Sequence, residues 1–237
     1  MIEAKKAWGR IKSFLADLCF PQFCFGCRKE GSYLCPDCLA VIDVLSSFFC
    51  LCPEPRRLER PGKCSACQKS SLDGLYFAAA FRQPLVKRLI RQYQSPPYVK
   101  ELGKNLADLI ISHFALAEKQ KELGGSLLVP VPIDRAAWRT HGFNPAQEIA
   151  QNLARAWRLP CLIDALMLNE DGSNGFTSQK QSLVDRKKIF LVDGLYVTGQ
   201  IMEKGARALK EAGAKEVWGI AVARGQVIQR IDSFSNE

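Results

Sequence analysis

Residues 189–224 read IFLVDGLYVTGQIMEKGARALKEAGAKEVWGIAVAR. A buried-type apolar run ends at Asp193, a short turn carries Thr198-Gly199, a helical stretch stops at Gly213, and a second apolar run follows. Glycine just past a helix is the usual stop, because it enters the left-handed region without a Cβ clash. Two short apolar runs joined by a helix are the pattern of a βαβ unit, whose parallel strands are covered on both faces. Ligands of such sheets bind beyond the carboxyl ends of the strands. That rule puts the turn after Asp193 on the functional edge. Exposed amides there, backed by the dipole of the following helix, would cradle a phosphate over Val197, Thr198, Gly199, Gln200 and Ile201. The Asp193 carboxylate at the strand end would accept hydrogen bonds from sugar hydroxyls.

Outward from this unit the alternation of strand and helix continues. SLLVPVPI (126–133) reads as a strand, DRAAWRTHGFN (134–144) as a polar and basic loop, and AQEIAQNLARAW (146–157) as a helix that Asn144 can cap. LPCLIDALML (159–168) offers another strand, and the Gly/Ser-rich stretch 169–188 reads as a mobile loop. Upstream, LYFAAAF (75–81) is a strand, and Pro84 opens the helix PLVKRLIRQYQ. A second helix follows, with Leu102, Leu106, Leu109, Ile110 and Phe114 as its apolar stripe. Residues 71–237 therefore read as an α/β domain with a parallel sheet flanked by helices.

Residues 1–70 have a different character. Of ten cysteines, eight fall between Cys24 and Cys67, as Cys24-x2-Cys27, Cys35-x2-Cys38, Cys50-x-Cys52 and Cys64-x2-Cys67. Two knuckles of this kind aim four thiolates at one tetrahedral Zn²⁺, and such sites replace the core that a short module cannot build. The order of pairing, sequential or interleaved, stays open at this level. Cys19 and Cys161 stand in apolar settings and read as core residues. Ahead of the cysteines, Ala4, Trp8, Ile11, Leu15 and Leu18 share one face of an amphipathic helix.

The chain of 237 residues is 47% hydrophobic and 24% charged, which excludes disordered and fibrous classes. No apolar run reaches membrane-spanning length, and the N-terminus lacks a signal-type hydrophobic block. A cytoplasmic setting, with reduced thiols, is expected. The formal net charge is +9, with the excess in the N-terminal half, and this suits a polyanionic partner. Neither G-x-G-x-x-G nor G-x-x-x-x-G-K-[ST] is present, so dinucleotide and P-loop readings lose support. No Ser/His/Asp or Cys/His nucleophile arrangement is recognisable.

Paired cysteines followed by VPVPIDRAAWRTHGFNPAQEIA (129–150) and then by the 189–224 unit resemble the ComF family of phosphoribosyltransferase-like proteins. The resemblance implies a type I phosphoribosyltransferase-like sheet behind a cysteine-rich zinc-ribbon module. It also implies a role in DNA uptake during competence, beside single-stranded DNA and a helicase-like protein. Phosphoribosyl pyrophosphate or another phosphorylated ribose is the implied ligand, with Mg²⁺ if the site turns over. Arg135, Arg139 and His141 become pyrophosphate-loop candidates, Asp193 the ribose carboxylate, and Asn144 a further contact. The chain departs from the family pattern at Gly194, where a second acid is usual, at Val197 and Ile201, where hydroxyls are usual, and at His141, where arginine is usual. Phosphate contacts made by backbone amides survive such changes, whereas charge stabilisation in a transition state does not. Ligand binding with a partly degenerate site is the expectation; active nucleotide salvage and a non-catalytic nucleic-acid scaffold are the alternatives.

Overall fold

The computed structural model describes residues 21–169 and 175–225, so the amphipathic helix expected before residue 20, with Cys19, lies outside the described residues. The chain divides into two compact units, Met1–Asp43 and Val44–Glu237. The first holds a helical turn, α1 (Pro36–Ala40), which Cys35 caps through its side chain. The second holds the strands and the remaining helices described below.

Four parallel strands form the central sheet: β3 (Gly74–Ala80), β4 (Leu127–Pro130), β7 (Lys188–Tyr196) and β8 (Glu216–Arg224). Their order is β3-β8-β7-β4, with Leu191 opposite Val129 on one side and opposite Gly219 on the other. Both faces are apolar, as a sheet covered twice requires. Helices α2 (Pro84–Gln94), α3 (Leu102–Leu116) and α5 (Pro145–Trp157) fill one side of the connectivity. On that face Tyr76, Phe114 and Phe190 form an aromatic core, with Tyr76 and Phe114 centroids 4.7 Å apart. On the opposite face Leu75, Phe77, Ile189, Leu191 and Val217 pack against Met202, Ala206 and Leu209 of α7 (Gln200–Glu211). The expected parallel α/β sheet flanked by helices is what the chain builds.

Three local expectations are corrected. The stretch 134–144 contains a helix, α4 (Arg135–His141), rather than a loop. Its cap is Asp134, whose Oδ1 accepts from Ala137 N at 2.6 Å, and Gly142 ends it with φ 72°. The strand expected over 159–168 narrows to β5 (Leu166–Leu168), while Cys161 makes only an isolated bridge to Leu128. The stretch expected as a mobile loop contains β6 (Phe176–Ser178), antiparallel to β5, and a helical turn, α6 (Gln181–Val184). Tertiary packing of the β5–β6 pair on α7 supplies order that local polarity concealed. Short strands β1 (Phe48–Phe49) and β2 (Arg57–Leu58) pair within the second cysteine segment. No described helix is long and apolar enough to cross a membrane.

Candidate ligand cleft and metal centres

A cleft of about 520 Å³ opens at the carboxyl ends of β4 and β7, walled by the strand ends, α4, α5, α7 and the β5–β6 pair. Asp193, near the end of β7, lines it and is half-buried. Desolvation pushes its carboxyl up to about 6, against a 2.7 Å hydrogen bond donated by Gly194 N to Oδ1 that pulls the other way. Beyond Tyr196 the chain turns through Val197, Thr198 and Gly199, and α7 begins at Gln200. Gly199 has φ 74°, and a Cβ there would overlap the Tyr196 ring, so the turn requires glycine. Thr198 is exposed, and its Oγ1 accepts from Gln200 N at 3.4 Å.

The sequence-derived candidates distribute unevenly. Asp193, His141, Asn144, Gln200 and Ile201 line one cleft, while Val197, Thr198 and Gly199 form the turn beside it. Asn144 is almost fully engaged in structure: its Oδ1 accepts from Ala146 N at 2.9 Å and its Nδ2 donates to Val131 O at 3.0 Å. It caps α5 and ties that helix to the end of β4. His141 packs on Tyr98, with centroids 4.3 Å apart, and its Nδ1 lies 2.8 Å from Ala137 O. Arg135 and Arg139 are exposed and absent from the described cleft lining, because Asp134, Ala137 and His141 occupy the face of α4 turned to the cleft. Among the lining residues that sequence reasoning missed are Gln94, Lys204, and the apolar pair Leu168 and Phe176. Lys204 was readable, since it lies four residues beyond Gln200 on the same helix face. Gln94, at the end of α2, carried no signal.

The cysteines form two groups, Cys24/Cys27/Cys35/Cys38 and Cys50/Cys52/Cys64/Cys67, each with all four sulfurs within 4.8 Å of one another. The pairing is sequential. Zinc–sulfur bonds of about 2.3 Å in a tetrahedron place sulfurs about 3.8 Å apart. The Cys27–Cys35, Cys52–Cys64 and Cys64–Cys67 separations are 3.6, 3.5 and 3.7 Å. Both groups therefore fit a tetrahedral thiolate ion and could hold zinc. Backbone amides support them: Cys35 N and Gly26 N both donate to Cys24 Sγ at 3.4 Å, and Arg56 N donates to Cys50 Sγ at 3.2 Å. Burial would raise the Cys24 thiol, but the amides of Cys35, Cys27 and Gly26 outweigh it and hold it at about 6.

The second group is bolted to the sheet. The buried Arg224 guanidinium donates to Cys50 O at 2.6 Å and also to Cys52 O. It lies between the Phe77 and Tyr196 rings, 5.8 and 5.2 Å from their centroids. Tyr196 Oη donates to Leu51 O at 3.2 Å, and Glu203 of α7 accepts from Ser71 N at 2.7 Å. The same Tyr196 abuts Gly199, so the metal loop and the turn share one support.

No protein-family model matches the chain. Among solved structures, the purine phosphoribosyltransferase from Pyrococcus horikoshii Ot3 covers 59% of this chain and 97% of its own, at 18% identity and a TM-score of 0.33. The chain is 23% identical, over an aligned length of 212 that covers 83% of this chain and 90% of the relative, to the "Competence protein ComFC" of Streptococcus pneumoniae (strain ATCC BAA-255 / R6). The similarity to that protein thus extends over most of the chain.

Proposed function

We propose that the cleft binds a phosphorylated ribose, phosphoribosyl pyrophosphate or a nucleoside monophosphate, in a ComF-type protein serving DNA uptake, and that turnover is weak. The observation carrying this reading is the placement of Asp193 beside the start of α7, on the carboxyl edge of a parallel sheet. The amides of 197–201 and the helix start favour a 5′-phosphate. Asp193 then faces the sugar hydroxyls, and Lys204 is the only Lys or Arg among the described lining residues.

Phosphoribosyl transfer expels pyrophosphate from C1 while positive charge grows on the ribose ring. Mg²⁺, when bound, would neutralise the leaving pyrophosphate, with Asp193 and substrate oxygens as its contacts. Gly194 supplies no second carboxylate, and Arg135 and Arg139 would have to reach in from outside the described lining. Ground-state binding needs fewer of these groups than the transition state does. Titration calorimetry with ribose 5-phosphate should show binding that Asp193→Asn weakens. Equal binding by that variant would remove the proposed role of Asp193.

A second reading rests on the exposed Arg56, Arg57 and Arg60 between the last two cysteine pairs. These side chains suit the phosphates of single-stranded DNA, and a helicase-like protein would be the accompanying partner. Steep loss of DNA binding with salt supports this reading; salt-independent binding opposes it.

A further inference from the structure

We infer that Gln94 is the second ribose-hydroxyl ligand of the cleft and makes sugar-phosphate binding independent of a divalent cation. The inference rests on the proposed reading of the cleft. Gln94 ends α2, is half-buried, and lines the same cleft as Asp193. A Cβ added at Gly194 would lie 2.8 Å from Gln94 Nε2, so the carboxamide, as it is placed, sits where a side chain at 194 would begin. Among the described residues that carboxamide has no hydrogen-bond partner. A half-buried amide left without a protein partner, lining the same cleft as a carboxylate, is poised for a polar ligand.

The chemistry identifies the ligand class. A carboxylate only accepts, whereas an amide both donates and accepts. Asp193 and Gln94 together can accept from two neighbouring hydroxyls and also donate to one of their oxygens, which is the pattern of a ribose diol. Two adjacent carboxylates would repel each other and call for a cation between them. One carboxylate and one amide do not. The glycine at 194 and the glutamine at 94 therefore belong together: the first makes room for the second.

The test is titration calorimetry of the full chain with ribose 5-phosphate, with and without Mg²⁺, and with inorganic phosphate, which lacks hydroxyls. Wild-type affinity for ribose 5-phosphate should be the same with and without Mg²⁺. Gln94→Ala should weaken it about two- to tenfold, the range of one neutral hydrogen bond, and should bind inorganic phosphate as wild type does. Gln94→Glu should bind poorly without Mg²⁺ and recover when Mg²⁺ is added. Undiminished ribose 5-phosphate binding by Gln94→Ala, or equal loss of both ligands, would overturn the assignment while leaving the cleft reading intact. No binding of ribose 5-phosphate by the wild-type chain would overturn both.

Discussion

Replacing Arg224 by methionine removes a side chain that joins the second cysteine loop to the end of β8. The change leaves Cys50 O and Cys52 O without their donors and deletes the cation between Phe77 and Tyr196. Each hydrogen bond from a charged donor contributes about 1.5–3 kcal/mol, and a desolvated cation–π contact can add about 1–2 kcal/mol. These contributions overlap, and methionine refills much of the volume between the rings. A net loss of about 3–5 kcal/mol is expected, in line with removing one partner of a buried charge pair. For a chain of this size that lowers the thermal midpoint by about 6–20 °C. Four thiolates around Zn²⁺ also carry net negative charge, which the guanidinium offsets, so zinc affinity at Cys50/Cys52/Cys64/Cys67 should fall about 10–100-fold. Zinc competition with a chromophoric chelator should then release metal in two separated phases, with the Cys24/Cys27/Cys35/Cys38 phase unchanged. Arg224→Lys keeps the charge but loses the fork and should fall in between. An unchanged thermal midpoint with coincident zinc release would refute the reasoning.

Four further outcomes are expected. Elemental analysis of chelator-free protein should find zinc near the two sites that the cysteine groups offer, and less than half an equivalent would count against both. Cys27→Ser should abolish metal at the first group while circular dichroism of the α/β domain persists; loss of all structure would contradict this. Because burial raises Asp193 to about 6, its stabilising contribution is complete below the ordinary carboxylate range and is lost as pH rises through about 6. Asp193→Asn should flatten that part of the stability profile, and ribose 5-phosphate binding by wild type should weaken below pH about 6, read against the same variant because the ligand phosphate also titrates nearby. Joint replacement of Arg56, Arg57 and Arg60 should reduce the salt slope of single-stranded DNA binding, and an unchanged slope would remove those residues from the interface.

The parallel sheet was legible because β7 and β8 are buried on both faces, leaving apolar runs that no surface strand would carry. The first cysteine group was legible from spacing alone. Its sequential pairing was not, since knuckles constrain only near neighbours and the choice depends on how the loops fold. Helix α4 was missed although Asp134 and Gly142 mark its two ends, because seven residues with a weak apolar stripe look like loop. The β5–β6 pair was missed because its order comes from packing on α7 rather than from its own polar sequence. Asp193 was found through its place at a strand end. Gln94 was not, because its importance exists only across the space left by Gly194, a contact one hundred residues apart in sequence.

The central claim is that binding of a phosphorylated ribose has outlived catalysis in this cleft. The most direct measurement pairs calorimetric titration of phosphoribosyl pyrophosphate with a pyrophosphate-release assay on the same protein, across the common nucleobases and with Mg²⁺ present. The expected result is saturable binding that Asp193→Asn weakens, with pyrophosphate release close to the uncatalysed rate. Robust release with any nucleobase, or no binding at all, would contradict it.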